Sequence, residues 1–385
     1  MSAKDADVVV VGAGLTGAST AWALSRDGVS VVLLEAHPFG HTLGSSHGSS
    51  RIFRRIYRDP VYLRMTGQAQ QRWAQLESES GTSLLRWTGG VDHGRHRDPE
   101  GIAEFLAQQP EKVDHELLDA QEAEGRWPGM RFRGPVLFHP DAGTVDADLA
   151  VATFLAQAGG HGAHLAAETP VERIDVRGDS DVVVHAGAES VRARSVVLAN
   201  GPWMPSFLAG SGLGIDLPPV RVTRQQVFHF PRVEPDTTWP VVVHKDAMQV
   251  FALPSGSDGG IRPAVKVAQH DAGPIVDPGS TGALDPAAGD RIRGYVREWM
   301  PGLEDVPVAA ATCLYTTTAD EDFVLDRRGP VVVASPCSGH GAKFAPLLGH
   351  LIGELARGRR QPPPRFAIDR PGRRAAPSTS SSTLA

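Results

Sequence analysis

The stretch Asp7-Val-Val-Val-Val-Gly12-Ala-Gly14-Leu-Thr-Gly17 joins an apolar strand to a glycine-rich turn and the start of a helix. Gly12 permits a tight turn, Gly14 lets the backbone approach a pyrophosphate, and Gly17 lets the helix pack closely on the strand. The first N–H groups of that helix would face the phosphates. The pattern predicts a dinucleotide site whose phosphate-binding turn comprises Gly12, Ala13, Gly14, Leu15, Thr16 and Gly17.

An acidic residue completes this pattern. A second apolar run, Val31–Leu34, ends at Glu35, which follows Gly12 by 23 positions. At that distance a carboxylate can accept hydrogen bonds from ribose hydroxyls. Ordinary strand-turn-helix units also contain glycines, so the glycines alone are weak evidence. The two strands, the helix and the acidic residue together favour a nucleotide site.

Length and composition restrict the class of protein. At 385 residues, the chain is long enough for two domains or one large α/β unit with an insertion. Its hydrophobic share of 41% and charged share of 21% are typical of a globular protein. We expect no membrane association, because no apolar run approaches the ~20 residues that span a bilayer. The N-terminus lacks the features of a signal peptide, which predicts a cytoplasmic location.

Charge and cysteine content argue against two kinds of partner. The net charge is −6 and no basic cluster is interleaved with aromatic residues, so nucleic acid is not an expected partner. Cys313 and Cys337 are the only cysteines, and the histidines form no HExxH motif. We therefore expect neither a disulfide framework nor a bound metal.

The apolar patterns predict an α/β fold with discontinuous domains. A Rossmann-like nucleotide-binding domain is expected over 1–84, 144–219 and 309–370. Between these segments, 85–143 and 220–308 are rich in strands broken by proline and glycine, which predicts a substrate-binding domain built on an antiparallel sheet. Residues 371–385 contain almost no apolar bulk and are predicted to form a disordered tail.

The position of the fingerprint favours FAD over NAD. It lies at the N-terminus, and the pattern of the same domain returns near the C-terminus, so both ends of the chain can hold a long cofactor. Gly210-Ser-Gly-Leu-Gly214 lacks the spacing and the strand of a second fingerprint. With no sign of an NAD(P)H site, the substrate itself is expected to be the reductant.

Five further motifs follow the fingerprint in order: Gly44-Ser-Ser-His-Gly-Ser-Ser-Arg-Ile-Phe-Arg54, Leu198-Ala-Asn-Gly-Pro-Trp203, Lys266-Val-Ala-Gln-His270, Thr312-Cys-Leu-Tyr-Thr316 and Ser338-Gly-His-Gly-Ala-Lys-Phe344. With them the chain, over about residues 6–370, resembles the monomeric sarcosine oxidase and N-methyltryptophan oxidase family of D-amino-acid-oxidase-like flavoproteins. The resemblance implies an FAD-dependent enzyme that acts as a monomer.

The resemblance also implies how the flavin is held. Cys313 matches the cysteine that forms a thioether to the flavin 8α-methyl carbon in this family; the alternative is a buried free cysteine. Arg51 would lie near the ring edge and polarise it. The helix start after Ser338 could stabilise charge at the N1/C2 carbonyl edge. The remaining cofactor-binding residues implied are Ser45, His47, Ser50, Val171, Ala199, Gly201, Trp203, Gly339, His340, Gly341 and Lys343.

Two cations match the residues that hold the substrate carboxylate in this family. Arg54 offers a fork to two oxygens and Lys343 adds a point charge, which would select amino acids over plain amines. A lysine near a helix N-terminus is opposed by the helix dipole, so Lys343 needs an anion nearby. The alternative is a solvated arginine in a basic loop and an exposed lysine.

Lys266 matches the lysine that promotes reaction of the reduced flavin with oxygen. It lies between two valines, where an unpaired ammonium is costly, and a fixed cation stabilises superoxide as it forms. The alternative is an edge-strand lysine that points to solvent. His270 and Tyr315 match pocket residues near the amine, where His270 could influence amine deprotonation.

The expected reaction is oxidation of an N-methyl or cyclic secondary amino acid, with a hydride equivalent passed to flavin N5, an imine product and O2 reduced to H2O2. The sarcosine-specific pattern has a tyrosine where this chain has Phe251, and the segment from Pro254 to Lys266 is longer. One alternative is therefore a pathway-specific oxidase or dehydrogenase for a bulkier or cyclic amine. A non-catalytic flavin-binding protein is a second alternative, against which the retention of Arg54, Lys266 and Lys343 argues.

Overall fold

Strands and helices alternate along the chain. The computed structural model describes residues 4–280 and 282–370; the predicted tail, 371–385, lies outside the described residues. The strands are β1 (Lys4–Val11), β2 (Val31–Leu34), β3 (Arg51–Arg54), β4 (Leu85–Trp87), β5 (Gly90–His93), β6 (Glu116–Leu118), β7 (Val136–His139), β8 (Ala142–Val145), β9 (His164–Ala166), β10 (Arg173–Gly178), β11 (Asp181–Ala186), β12 (Glu189–Leu198), β13 (Val220–Pro231), β14 (Val241–Lys245), β15 (Gln249–Pro254), β16 (Ala264–Gln269), β17 (Ala309–Thr318), β18 (Val324–Arg328) and β19 (Val331–Ser335).

Helices flank these strands. They are α1 (Leu15–Arg26), α2 (Pro60–Ser80), α3 (Pro99–Ala107), α4 (Ala120–Arg126), α5 (Ala147–Gly160), α6 (Met204–Ser211), α7 (Pro286–Trp299) and α8 (Ala345–Ala356). Short 3-10 turns occupy Gly201–Trp203, Ser257–Gly259, Ala342–Phe344 and Pro364–Phe366. The chain therefore has the predicted α/β character.

The first sheet contains the glycine fingerprint. Its strands β9, β2, β1, β12 and β19 run parallel in that order, and β18 pairs antiparallel with β19. An antiparallel ribbon of β10 and β11 pairs with the first half of β12. Helices α1, α2, α5 and α8 pack into one apolar core with this sheet. The turn after β1 lies at the carboxyl ends of the parallel strands, where α/β sheets bind ligands.

The second sheet has the order β17-β13-β16-β15-β14-β5-β7-β6. Every pairing in it is antiparallel except that of β14 with β5. A small third sheet, β3-β8-β4, carries Arg51 and Arg54 at the two ends of β3. The division into domains stays a prediction; β17, assigned to the nucleotide-binding domain from the sequence, pairs along its length with β13 of the second sheet.

One face of the second sheet gathers distant residues. Directly opposite residues of an antiparallel pair point to the same face, as do residues two apart on a strand. Lys266 lies opposite Leu253, two residues from Phe251, and Phe251 lies opposite Val243. By the same alternation, Lys245 shares the face of Val243, and Cys313 that of Tyr315.

Candidate active site

A cavity of about 880 Å³ extends from the glycine turn to the cation-bearing face of the second sheet. It is lined by every site residue predicted from the sequence except Gly17 and His47. These lining residues are Gly12, Ala13, Gly14, Leu15, Thr16, Glu35, Ser45, Ser50, Arg51, Arg54, Val171, Ala199, Gly201, Trp203, Phe251, Lys266, His270, Cys313, Tyr315, Gly339, His340, Gly341 and Lys343.

The glycine turn leaves no room for side chains. Gly12 adopts φ +100°, and a Cβ there would lie 2.6 Å from the carbonyl oxygen of Ala199. A Cβ at Gly17 would overlap the carbonyl oxygen of Gly12, so Gly17 acts through helix packing. Gly14 is the N-cap residue of α1 and has no side chain to cap the helix, although the Leu15 amide donates to Ser46 Oγ at 3.0 Å. The backbone is therefore free to approach a phosphate group.

Glu35 is buried beside the turn. Its carboxylate accepts hydrogen bonds from the amides of Ala13 at 2.7 Å and His37 at 3.0 Å, and His41 Nε2 lies 3.5 Å away. Burial opposes the charge, but the interactions with His41 and the two amides outweigh it, so the pKa of Glu35 is lowered. The carboxylate is therefore ionised, as acceptance from ribose hydroxyls requires.

The loop before β3 is organised by Arg51. Its guanidinium donates to the carbonyl oxygens of His47, Ser50 and Ser45, the last two at 3.1 and 3.4 Å. Ser45 Oγ in turn donates to the carbonyl oxygen of Leu314 on β17. His47 thus contributes to the site through its carbonyl group, which fixes Arg51, whereas its ring lies outside the cavity lining.

Lys266 is paired with an aspartate that sequence reasoning missed. Its side chain is 2% exposed, and Nζ donates to the Ser50 carbonyl oxygen at 3.1 Å and to Asp258 Oδ2 at 2.7 Å. Asp258 also accepts from Ser49 Oγ at 2.6 Å. Burial opposes the charge of Asp258, but Lys266 and Ser49 lower its pKa to about 2. Asp258 lies in the segment from Pro254 to Lys266. The extra length of this segment was the only sign in the sequence of a contribution to the site.

Cys313 is a free cysteine on the cavity wall. Burial raises the pKa of its thiol, while the charges of Arg51 and Lys266 act in the opposite direction. Cys337, the other cysteine, lies on a different strand connection, and its Sγ accepts from the Thr316 amide at 3.4 Å. Cys313 is therefore the cysteine whose surroundings contain cations that favour a thiolate.

The far end of the cavity brings Arg54 and Lys343 together around one ring. The Arg54 guanidinium lies 4.8 Å from the centroid of Tyr57, and Lys343 Nζ lies 5.7 Å from it. Lys343 is buried and donates to the His340 carbonyl oxygen at 2.7 Å. Burial, and then the charge of Arg54, hold the pKa of Lys343 well below its usual range. Two close, desolvated cations are suited to an anionic ligand.

Tyr57 and His340 lie beside Arg54 and Lys343 and are linked to each other. The Tyr57 hydroxyl and His340 Nδ1 lie 3.1 Å apart, and His340 Nε2 lies 3.1 Å from the Glu321 carbonyl oxygen. Burial raises the pKa of Tyr57 to about 12 and lowers that of His340 to about 3, so both are neutral. The sequence offered a sign of Tyr57 only in its position three residues after Arg54.

An aromatic group lies beside the two cations. The rings of His270 and Tyr315 are 5.7 Å apart, and those of Phe251 and His270 are 6.5 Å apart. Gly339, at φ +72°, fits under them, because a Cβ there would lie 2.7 Å from Tyr315. Burial and the nearby charges of Lys245 and Arg54 lower the pKa of His270 to about 4. A neutral imidazole therefore faces the cavity.

Sequence reasoning also missed Lys245 and Arg97, which line the same end of the cavity. Arg97 Nε donates to Asp92 Oδ1, and Arg54 Nη1 lies 4.0 Å from the same oxygen. Lys245 was detectable, since it follows Val243 at the spacing that puts both on the face of Phe251. Asp92 and Arg97 were not, because β5 joins this sheet through a parallel pairing of distant segments.

A dinucleotide turn and a cationic, aromatic pocket in one cavity are typical of dinucleotide-dependent oxidoreductases. The chain belongs to the FAD dependent oxidoreductase (DAO) family, whose profile matches residues 7–355. It is therefore an FAD-dependent oxidoreductase, as predicted.

The chain is similar to several characterised oxidases. The chain is 32% identical to the peroxisomal sarcosine oxidase of Homo sapiens, over 91% of this chain and 92% of that protein. It is 25% identical to the N-methyl-L-tryptophan oxidase of Citrobacter koseri, over 92% and 95%. Among solved structures it is similar to NikD, described as an unusual amino acid oxidase essential for nikkomycin biosynthesis, with a TM-score of 0.84, 26% identity, and coverage of 95% and 98%. The predicted resemblance is confirmed.

The residues of the cavity fit FAD. The crowded glycines leave a cradle that a Cβ would fill, and Gly14, the N-cap residue of α1, has no capping side chain. Within residues 4–280 and 282–370, no helix combines the length and apolar character that crossing a membrane requires. Across the same described residues, no three His, Cys, Asp or Glu side chains are grouped as metal ligands would be.

Proposed function

We propose that the protein oxidises a secondary amino acid, N-methylated or cyclic, in a reaction like that of sarcosine oxidases. The observation that supports this most is the juxtaposition of Arg54 and Lys343 with the neutral His270 in a cavity that also reaches the FAD cradle. The test is anaerobic mixing with sarcosine, N-methyl amino acids, proline and pipecolate, with flavin absorbance as the readout. Bleaching by none of them would overturn the proposal.

Arg54 and Lys343 bind the substrate carboxylate in this mechanism. The guanidinium supplies two parallel N–H donors and the ammonium supplies a point charge. Lys343 is buried and Arg54 is mostly buried, so each hydrogen bond to the carboxylate is stronger than in water. The carboxylate also relieves the repulsion between the two cations, which is why plain amines are expected to bind poorly.

His270, Tyr315 and Phe251 enclose the amine end. FAD bound in this cavity would supply the acceptor for the hydride equivalent of the substrate C–H bond; with the proton lost by the amine and O2 as the final oxidant, the products are an imine and H2O2. Only the neutral amine can release a hydride equivalent, and an imidazole whose pKa is about 4 can accept a hydrogen bond from the amine without repelling it. Phe251 and Tyr315 exclude water from this end.

Lys266 and Arg51 are proposed to act at the flavin. Lys266 is a fixed, buried cation, which favours the negative charge that develops when oxygen is reduced. Arg51 is held by three carbonyl oxygens and is therefore preorganised. We also propose that Cys313 forms the thioether link to FAD, which is supported by its place on the cavity wall and by the two cations beside it.

A bulkier or cyclic amine is the second candidate substrate. Phe251 in place of a tyrosine and the longer segment from Pro254 to Lys266 favour it. The substrate panel separates the candidates, since a clear preference for sarcosine would exclude the bulkier amine. Fast dye reduction with slow peroxide formation would identify a dehydrogenase.

The oligomeric state and the cellular location are part of the same proposal. We infer a monomer, as the resemblance to the monomeric sarcosine oxidase family implies, and a cytoplasmic location. Size-exclusion chromatography with light scattering tests the first, and cell fractionation tests the second. The division into nucleotide-binding segments 1–84, 144–219 and 309–370 and substrate-binding segments 85–143 and 220–308 is proposed as well, and limited proteolysis at the segment boundaries tests it.

A further inference from the structure

Two cations in the cavity have no task in the proposed mechanism. Lys245 ends β14, and Arg97 lies in the loop before α3; both line the end of the cavity that holds Arg54. Lys245 lies opposite Gln249 in the β14–β15 pair, which puts it on the same face as Phe251. Both cations therefore belong to the wall of the substrate end.

Arg97 is incompletely satisfied. Its side chain is 9% exposed, and Nε donates to Asp92. Among the described residues, Nη2 has no hydrogen-bond partner. Asp92 is shared further, with His139 Nε2 at 3.3 Å and Arg54 Nη1 at 4.0 Å. A buried guanidinium with a free donor favours a further acceptor, because an unmet buried donor is costly.

The positive charge of Lys245 is balanced even less than that of Arg97. Within the part of the chain that the structure describes, its ammonium forms no ion pair and no hydrogen bond. Burial, Arg97 and Arg54 lower its pKa, and the opposing effects of Glu321 and Asp92 are smaller than these. Glu321 is exposed at the cavity mouth. Lys245 is thus a cation in the cavity that is poorly matched by protein carboxylates.

Charge balance points to a second anion. Four cations, Arg54, Arg97, Lys245 and Lys343, line this end of the cavity, and the buried carboxylate of Asp92 pairs with two of them, Arg54 and Arg97. The α-carboxylate of an amino acid would occupy Arg54 and Lys343. Arg97 and Lys245 would then retain excess positive charge in a desolvated site, which is unfavourable unless another anion is bound there.

We propose that Lys245 and Arg97 form a second anion subsite that selects secondary amino acids carrying a second carboxylate. The proposal rests on the proposed function, since it assigns the α-carboxylate to Arg54 and Lys343. Lys245 also lies close to the amine end, because it pairs across β14 and β15 with Gln249, whose carbonyl oxygen accepts a hydrogen bond from the His270 amide at 2.8 Å. The second carboxylate therefore sits within a few bonds of the amine, on the side chain or on the nitrogen substituent.

Binding of non-oxidisable thioethers to the holoprotein tests the subsite. (Methylthio)acetate carries one carboxylate, 2-(methylthio)succinate carries a second on the side chain, and thiodiacetate carries a second across the heteroatom. Binding is followed by the flavin difference spectrum and by calorimetry. We expect at least one diacid to bind about tenfold or more tightly than the monoacid, the gain typical of a charge-assisted hydrogen bond.

Variants of Lys245 and Arg97 test whether the tighter binding of diacids comes from the proposed subsite. Lys245→Met keeps side-chain volume and is expected to remove most of the diacid advantage while the monoacid Kd stays within about twofold. Lys112→Met is the matched control, because the Lys112 ammonium is exposed and donates to the Gln109 carbonyl oxygen at 3.1 Å. Arg97→Lys is the second variant, since it keeps a cation beside Asp92; it is expected to reduce the advantage partly.

Two results overturn the subsite. In one, neither diacid binds more tightly than the monoacid to the wild-type protein. In the other, Lys245→Met weakens monoacid and diacids equally. Failure of the proposed function is distinguishable, because it appears as no flavin bleaching by N-methylalanine or N-methylaspartate. A diacid preference lost in Lys245→Met supports the subsite whether or not bleaching occurs.

Discussion

The ammonium of Lys266 lies 2.7 Å from Asp258 Oδ2, so the buried cation on the flavin side of the cavity carries its own counterion. Asp258 is held in turn by Ser49 and lowers the net positive potential that Lys266 presents. In the proposed mechanism the pair sets how strongly the site favours a developing negative charge, and its two members can be altered separately.

We expect Lys266→Met to slow reoxidation of the reduced enzyme by oxygen by about 10²-fold, because a preorganised cation facing the developing charge is lost. Asp258→Asn is expected to speed it several-fold, because it leaves the ammonium unneutralised. Stopped-flow mixing of anaerobically reduced enzyme with oxygen measures both. Equal slowing by the two variants would show that the pair acts only structurally, and unchanged flavin bleaching by substrate is the control.

Replacement of Cys313 tests the covalent link. We expect acid precipitation of the wild-type protein to leave the yellow colour in the pellet, and Cys313→Ser to release it to the supernatant. Cys337→Ser is the matched control, since Cys337 also lies on the cavity wall and is expected to keep the colour in the pellet. Release of the colour from the wild-type protein would disprove the link.

The part of the site predictable from sequence was the part encoded in local motifs. Gly12, Gly17 and Glu35 were predicted from their fixed spacing, and the crowded backbone around the two glycines agrees with it. The alternation of side chains along the strands places Phe251 and Lys266 on one face of the sheet. The fold class followed from the same patterns. Family resemblance, rather than spacing, was needed for Cys313 and Lys343, because contacts between segments 300 residues apart leave no periodic signal.

Other residues escaped sequence reasoning because only tertiary structure gives them a role. Asp258 lies between two strands, and its role depends on the hydrogen bonds that it accepts from Lys266 and Ser49. Arg97 is significant only through its pairing with Asp92, which reaches the cavity by a parallel pairing of β5 with β14. Such positions become visible when the register of distant strands is known.

The carboxylate clamp predicts selective loss of amino acid binding. Arg54→Met and Lys343→Met should each raise the KM for the preferred amino acid about 10- to 100-fold, because each removes a desolvated, charge-assisted contact. An N-methylamine without a carboxylate should be oxidised at similar, low efficiency by wild type and variants. Arg64→Met on the exposed face of α2 is the control. A loss that is equal for both kinds of amine would remove Arg54 and Lys343 from carboxylate binding.

Buried neutral histidines predict sensitivity to acid. The rings of His93 and His244 stack at 4.0 Å, and burial lowers the pKa of His244 to about 4 and that of His93 well below 6.5. Between pH 6.5 and 4 the unfolded chain therefore binds protons that the folded chain does not. The free energy of unfolding should fall as pH falls through this window, by up to about 1.4 kcal/mol per pH unit for each such histidine.

The His93 contribution can be isolated by removing its titration. His93→Phe keeps a ring against Phe132, 4.9 Å away, and should make the dependence of Tm on pH less steep between pH 6.5 and 4. His161→Phe, at an exposed histidine after α5, should leave the slope unchanged. Thermal unfolding followed by circular dichroism measures all three proteins. Parallel Tm curves for wild type and His93→Phe would show that the pKa of His93 is not lowered in the folded state, because only a group that titrates alike in both states leaves the slope unaffected.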